Sequence, residues 1–430
     1  MPRPLHSLLP ALALSVLTST PGHATPVDAI AEQYVRLVLA MGEHDKGYVD
    51  AYYGPAEWRQ QVAEAPPSPE AIASSAHQLR EQLPSAADTR AASALERLRN
   101  NYLSTQLGAL AAYAGTYGKD TPRDFDAEAR ALYDTTPPRR ELSSFDSTLQ
   151  QLAALLPGDA PLHQRVDEFQ RQFDIPADKL SAVFDAAIEA CRKRTLAHIT
   201  LPAGESFQLE YVTDQPWSGY NWYRGDAHSL IQVNTDLPVR IDRAIDLGCH
   251  EGYPGHHTYN ALLETEFVRQ RGWVEFSVYP LFSPQSLIAE GSANYGIELA
   301  FPGEEKLRFE QQVLYPLAGL DPQTAERYDN VQDLTAELSY ARNEIARQYL
   351  NGDIDREQAI ELSQTYGPTS RSRAEQSVRF IDTYGAYVIN YNWGKALVKD
   401  YIERDTQTNQ ERWQKFSALL SSPRLPSDLE

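Results

Sequence analysis

The sequence has few cysteines and, after residue 24, no long apolar segment. Its 430 residues contain two cysteines, Cys191 and Cys249, whereas a disulfide scaffold is dense in cysteine. We therefore expect a fold that does not depend on disulfides, in which Cys249 is a packed small residue rather than a ligand or a nucleophile. After residue 24, no apolar run approaches the roughly 20 residues that span a bilayer, so stable membrane insertion is not expected.

Basic residues are scarce as well. The chain has 39 lysines and arginines against 59 aspartates and glutamates, which gives a formal net charge of -20. Such a surface repels phosphate backbones, and this argues against nucleic acid as a partner. The sequence also has no internal repeat and no low-complexity tract, so a repeat architecture is not expected.

The first 24 residues have the pattern of a secretory signal. Arg3 stands without any acidic residue, the apolar run Leu8–Leu17 follows, and the small residues of Gly22–Ala24 form a cleavage site. We expect a periplasmic or secreted protein whose mature chain begins near Thr25. The open alternative is a membrane-anchoring helix that is not cleaved. No cysteine stands directly after the cleavage point, which argues against a lipid anchor there.

Three of the ten histidines fall within the eight residues His250–His257, which read HEGYPGHH. Neutral imidazole nitrogens bind zinc, and a neighbouring carboxylate can take a proton from a metal-activated water. The cluster therefore favours a metallohydrolase in which Glu251 is the general base. The open alternative is a loop end that carries two surface histidines.

The spacing of these histidines does not fit a regular helix. In the H-E-x-x-H motif the two histidines are at i and i+4, about 6 Å apart along the axis. Here His256 and His257 would lie about 9 and 10.5 Å beyond His250, too far for two Zn–N bonds of about 2.0–2.1 Å. Pro254 lacks the N–H that would bond the carbonyl of His250. We predict a broken helix that loops out about two residues and makes His256 the second ligand, with His257 beside the site; the reverse assignment stays open.

The motif resembles the HE-x-x-PGHH signature of the bacterial DUF885 proteins, which are relatives of gluzincin-type zinc peptidases. That family has its third metal ligand in a downstream Glu-Gly helix, and the segment Ala289–Tyr295 reads AEGSANY here. The resemblance implies that Glu290 is the third ligand. Ser292 stands where the family usually has tryptophan, and Ile297 where it has a second acid.

The resemblance also implies a mechanism and further site residues. Zn2+ held by the two histidines and Glu290 would lower the pKa of a bound water, whose proton Glu251 would accept. A weaker echo of the family at Tyr391–Gly394 implies that Tyr391 is a donor to the oxyanion, with Arg379 behind it as a group that binds the substrate carboxylate or the oxyanion.

Hydrophobic periodicity predicts a mainly α fold with one small sheet. Apolar residues recur at helical spacing over residues 25–200, where Thr25-Pro26 and Ser68-Pro69 supply helix starts and the proline-rich joints Ala65–Pro67 and Thr136–Pro138 are read as turns. After residue 300, helices are predicted over 323–350, 355–364 and 385–404.

Residues 206–236 alternate like strands, and we expect a small antiparallel sheet there, next to a zinc-peptidase-like helical catalytic core. By resemblance, the segment Ile231–Thr235 binds extended peptide by strand addition, with Ile231, Val233 and Asn234 as substrate-binding residues. The open alternative is a sheet that covers the core. The looped-out helix places His257 beside the site as a substrate-binding or supporting residue; the open alternative for this residue is a solvated or packed histidine. The expected organisation is a signal at 1–24, a helical region at 25–200 and a catalytic region at 201–430.

The function expected from these patterns is a periplasmic or secreted zinc peptidase that hydrolyses peptide bonds. Two alternatives remain at this point. One is a zinc hydrolase of a non-peptide amide or ester, for which the same residues would serve. The other is a catalytically inactive helical binding protein.

Overall fold

Helix α1 (Pro26–His44) begins where the sequence predicts. The Thr25 hydroxyl accepts a hydrogen bond from the Asp28 backbone N–H at 3.2 Å, and the Asp28 carboxylate accepts one from the Thr25 backbone N–H at 2.7 Å. This reciprocal cap satisfies donors that the first turn of a helix leaves free. The predicted start at Ser68-Pro69 is also confirmed, since Ser68 caps the helix that begins at Pro69.

The structure is a computed structural model that describes residues 25–85, 87–119, 122–215 and 217–430. The predicted signal at residues 1–24 lies outside the described residues. The other helices of the first half are α2 (Ala56–Glu64), α3 (Pro69–Gln82), α4 (Ala94–Thr116), α5 (Phe125–Tyr133), α6 (Asp146–Leu155), α7 (Leu162–Gln170) and α8 (Leu180–Leu196). Both proline-rich joints lie between helices, as predicted.

Two small sheets accompany these helices. Strands β1 (Val49–Tyr52) and β5 (Val278–Pro280) form an antiparallel pair, and β2 (Ser206–Val212), β3 (Gly219–Gly225) and β4 (His228–Asn234) form a second sheet in the order β2-β4-β3. The mainly α fold with a small sheet is thus confirmed, but the prediction of a purely antiparallel sheet is wrong. After β2 the chain crosses to the far edge, and the β3–β4 hairpin returns it to the middle, so β4 is antiparallel to β3 and parallel to β2.

The second half is again helical. Its helices are α9 (Asp242–Leu247), α10 (His256–Leu263), α11 (Pro284–Ala300), α12 (Glu305–Phe309), α13 (Tyr315–Ala318), α14 (Ala325–Leu338), α15 (Ala341–Leu350), α16 (Arg356–Tyr366), α17 (Arg371–Tyr384), α18 (Ile389–Glu403) and α19 (Asn409–Leu420). The predicted helix over 323–350 is divided into α14 and α15, whereas 355–364 and 385–404 correspond to α16 and α18. Helices α17 and α19 were not predicted. None of the described helices is both long enough and apolar enough to cross a bilayer.

Helices α11 and α18 pack at a close crossing of two glycines. A Cβ atom on Gly291 would lie 2.4 Å from the Gly394 carbonyl oxygen, and one on Gly394 would lie 2.9 Å from the Leu287 carbonyl oxygen. Only glycine lets two backbones approach so closely. The crossing therefore fixes Glu290, which precedes Gly291, against the helix that carries Tyr391.

Cys191 on α8 and Cys249, which follows α9, form a disulfide with their Cα atoms 5.5 Å apart. Cys249 is buried, as predicted, but it is a disulfide partner and not only a packed residue. That the fold does not depend on disulfides stays a prediction. The two residues are 58 positions apart in the chain, and their contact depends on how α8 packs against the segment after α9. Local sequence patterns carry no information about that packing.

Removing this disulfide is expected to lower the free energy of unfolding by about 4 kcal/mol, because closing so long a loop restricts the unfolded chain by roughly that amount. The measurement is urea unfolding of the oxidised protein and of the Cys191→Ala/Cys249→Ala double variant. A reductant should shift the unfolding midpoint of the first and leave that of the second unchanged. Equal free energies of unfolding would show that the bond does not stabilise the fold.

Candidate metal centre

The chain between α9 and α10 departs from a regular helix. Helix α9 runs into a π-helical turn at Gly248–Gly252, and three non-helical residues, which include a cis Tyr253–Pro254 peptide bond, precede α10. A Cβ atom at Gly255 would lie 1.8 Å from the His250 carbonyl oxygen, so the chain passes directly over His250 at a position that requires glycine. The predicted interruption of the helix is therefore present.

This path brings two histidines and a glutamate together. The Nε2 atoms of His250 and His256 are 3.1 Å apart, and the carboxylate oxygens of Glu290 on α11 lie 3.2 Å from the first and 3.8 Å from the second. One potential ligand atom from each residue falls within 4.8 Å of the others. These are the three residues that the sequence proposes as metal ligands.

The donor set fits zinc in its chemistry. The Asn294 Oδ1 atom lies 3.1 Å from His250 Nδ1, and this contact fixes the proton on Nδ1 and leaves the Nε2 lone pair facing His256. The Glu290 Oε2 atom is buried without a hydrogen-bond partner. Two imidazole nitrogens and a carboxylate oxygen that face one another are the ligands of many catalytic zinc sites.

Electrostatics give His256 and Glu290 the protonation states that metal ligands need, whereas they favour the protonated form of His250. Burial lowers the pKa of His256 to about 4, against the opposing charge of Glu290. Burial alone would raise the pKa of Glu290, but its contact with His250 Nε2, at 3.2 Å, and the charges of both histidines hold it below its usual value. Burial works against protonation of His250, yet the contact with the Glu290 carboxylate and the charges of Glu251 and Glu290 raise its pKa. Near neutral pH, His256 is neutral and Glu290 is ionised.

Glu251 lies beside the triad and faces the same cavity. Its side chain is buried, and burial, together with the charges of Glu290 and Asp50, raises its pKa to about 7. The Asn221 side-chain amide donates to the backbone oxygen of Glu251 at 2.6 Å. Among the described residues no hydrogen bond engages its carboxylate, which is left available to a molecule in the cavity.

The structure corrects the prediction for His257. Its side chain is fully buried, with Nδ1 2.8 Å from the Ser229 hydroxyl and Nε2 3.0 Å from the Glu205 carboxylate. It does not line the cavity, so the assignment as a substrate-binding residue is wrong. The next position after His256 is rotated by about 100° on α10, which turns His257 toward the sheet.

The predicted substrate strand is also corrected. Strand β4 is the central strand of its sheet, and both of its edges are already paired, so it cannot receive an extended peptide by strand addition. Ile231 and Val233 are buried, in agreement with the alternative that the sheet covers the core. Asn234 does line the cavity, where its amide donates to the backbone oxygens of Gln215 at 2.9 Å and Trp217 at 3.1 Å.

Of the two C-terminal candidates, Tyr391 lines the cavity and Arg379 does not. Arg379 is exposed on α17, about 100° around the helix from Phe380, which faces the cavity. The prediction that Arg379 binds substrate is therefore wrong. The phenol that contacts the triad belongs to Tyr387, whose hydroxyl donates to Glu290 Oε1 at 3.0 Å. Tyr387 lies one turn before Tyr391, and that i, i+4 spacing could have indicated it.

The triad opens into a cavity of about 710 Å³. Asp50 on β1 lines it and accepts a hydrogen bond from the Tyr220 hydroxyl; burial raises the pKa of Asp50 to about 7. Arginines line other parts of the wall: Arg240, Arg243, Arg342 and Arg373. Nothing in the local sequence around these residues distinguishes them, because distant elements bring them to the cavity.

No protein-family model and no curated protein matches this chain. Among solved structures, it is similar to the "putative lipoprotein from Colwellia psychrerythraea", with a TM-score of 0.52 and 13% sequence identity over 86% of this chain and 67% of that one. A likeness at this identity shows a shared fold alone. The structure named BsuCP aligns over 92% of this chain and 87% of its own at 13% identity, with a TM-score of 0.35. No conclusion is drawn from a TM-score this low.

Proposed function

We propose that this protein is a zinc-dependent peptidase that hydrolyses peptide bonds with water. One observation carries the proposal: ligand atoms of His250, His256 and Glu290 converge at the wall of a cavity that Glu251 also lines. The similarity of HEGYPGHH and of the downstream Glu-Gly helix to the DUF885 proteins supports it. The signal-like first 24 residues support a periplasmic or secreted site of action.

The three converging residues would hold the ion. Zinc bound there would supply Lewis-acid polarisation of a carbonyl and would lower the pKa of a water molecule. Asn294 orients the His250 ring, and the Tyr387 hydroxyl orients the Glu290 carboxylate. Such supporting hydrogen bonds keep ligand side chains in position.

Glu251 is the base in this proposal. Its free carboxylate faces the cavity. A pKa of about 7 suits a group that takes a proton from the attacking water and passes it to the leaving amine. Tyr391 lines the same cavity, and its hydroxyl is the donor that we assign to the oxyanion that develops on the substrate carbonyl.

The size of the cavity limits the substrate. Pockets of roughly 300–1,000 Å³ bind molecules of drug size, and the cavity here has about 710 Å³. A short peptide, or an extended segment of a few residues, fits this volume. A folded protein domain does not.

The test combines bound-metal analysis with digestion of a peptide library. Protein purified without chelator is expected to contain about one zinc per chain and to cleave peptides, and a chelator should abolish cleavage. Parallel assays with amide and ester substrates separate a peptidase from another hydrolase. Protein that is free of metal as purified and does not take up added zinc would contradict the proposal and favour an inactive binding protein.

A further inference from the structure

Arg342 on α15 is a cation at the cavity wall that has no anionic partner in the part of the chain that the structure describes. No ion pair or hydrogen bond joins its guanidinium to any of the described residues, and its Nε atom is buried without a partner. Burial lowers its pKa, and the only group that opposes this effect is the Tyr391 phenol. The guanidinium stacks on the Phe380 ring, 4.6 Å from the ring centroid.

Two of the other three arginines of the cavity wall have acidic partners, whereas Arg373 is exposed and has no ion pair among the described residues. Arg240 lies 3.9 Å from the Asp167 carboxylate, and Arg243 forms an ion pair with Asp246. The absence of a partner for Arg342 does not come from a shortage of acids, because the chain has 59 aspartates and glutamates.

Arg342 is partly buried, and an unpaired charge that is shielded from water is costly unless something else compensates it. A guanidinium presents five N–H donors in a rigid planar fork, which matches the two oxygens of a carboxylate. Stacking on Phe380 holds one face of that plane and leaves its edge free for hydrogen bonds. A carboxylate that enters the cavity would satisfy both the charge and the donors.

Tyr391 connects this position to the candidate metal centre. The charges of Glu290, Glu251 and Arg342 all act on its phenol, and all four side chains line the same cavity. The same cavity therefore carries the acidic side of the triad and a guanidinium that has no anionic partner among the described residues.

We propose that Arg342 binds a carboxylate of the substrate and so selects peptides that carry a negative charge close to the bond that is cleaved. The inference rests on the proposed peptidase function. The carboxylate is either the free C-terminus, which would make the protein a carboxypeptidase, or an aspartate or glutamate side chain.

The experiment measures peptide binding to the full-length, zinc-loaded protein by calorimetry. Three acetylated alanine peptides of equal length are compared: a C-terminal acid, the corresponding amide, and an amide with one internal glutamate. Binding is measured in the Glu251→Gln background, where turnover is slow. Since a hydrogen bond to a charged group contributes about 1.5–3 kcal/mol, one of the two charged peptides should bind at least about 10-fold more tightly than the neutral one.

Two variants identify the arginine that is responsible. Arg342→Met should reduce the affinity for the preferred charged peptide to that for the neutral amide, and Arg342→Lys should restore part of it. The matched control is Arg379→Met, an exposed arginine outside the cavity, which should keep the full preference. Thermal unfolding followed by circular dichroism checks that each variant is folded.

The outcomes separate this inference from the proposed function. Equal affinity of the Glu251→Gln protein, with Arg342 intact, for all three peptides overturns the inference, even if Arg342→Met fails to fold. A preference that survives in Arg342→Met also overturns it. If charged peptides bind through Arg342 but no peptide is cleaved by the protein with Glu251 intact, the carboxylate site stands and the peptidase proposal fails.

Discussion

Replacing His250, His256 or Glu290 by alanine is expected to lower bound zinc to well below one per chain. Each replacement removes one of three ligand atoms that lie within 4.8 Å of one another, and two remaining protein ligands hold zinc far more weakly than three. The fold should persist, since these side chains line a cavity rather than fill the core. The measurement is metal analysis of protein that has been loaded with zinc and dialysed.

His257→Ala is the matched control, because it removes the adjacent histidine. Zinc should stay bound, since the His257 ring is directed toward Ser229 and Glu205 and away from the triad. The variant should instead lose about 2 kcal/mol of stability, because two buried polar groups lose a partner. If zinc leaves with His257 and stays without His256, or if all three alanine variants retain full zinc, the ligand assignment is wrong.

Local patterns were sufficient to predict much of the helical framework and the interruption of the motif helix. Caps such as Thr25 act within one turn, and the clash of Pro254 with the preceding turn is a property of neighbouring residues. Both segments that resemble the downstream DUF885 motifs contain a glycine with a structural role. Gly291 and Gly394 let α11 and α18 cross in contact, and this crossing places Glu290 beside Tyr387.

Other features depend on contacts that no local pattern contains. The Cys191–Cys249 bond joins segments that are 58 residues apart. The central position of β4 depends on where the β3–β4 hairpin folds back, which strand periodicity does not specify. Arg342 on α15 lies at the cavity beside Phe380 of α17, a helix that the sequence did not predict. The position of β4 accounts for the correction to the substrate strand. The unpredicted helix α17, which carries Arg379 on its exposed face, accounts for the correction to that residue.

Replacing Glu251 by glutamine is expected to lower the rate of peptide hydrolysis by about 10^2–10^4-fold with zinc still bound. The amide has nearly the same shape as the carboxylate but cannot accept the proton of the attacking water. The hydrogen bond from Asn221 ends on the backbone oxygen of Glu251, so this support is unaffected. The ligand atoms of the triad belong to other residues, so metal content should not change. Turnover numbers and zinc per chain are measured on the same preparations.

Two comparisons make the result specific to proton transfer. Glu251→Asp keeps a carboxylate but shortens it by one methylene, and it should recover part of the rate that Glu251→Gln loses, because a displaced base still accepts a proton. Asp50→Asn removes a different carboxylate that lines the same cavity, and it reports how much of the loss comes simply from removing negative charge. Near-native turnover of Glu251→Gln with zinc bound would reject Glu251 as the base. A loss of zinc in that variant would instead assign Glu251 to the metal, because a residue that only transfers protons does not hold the ion.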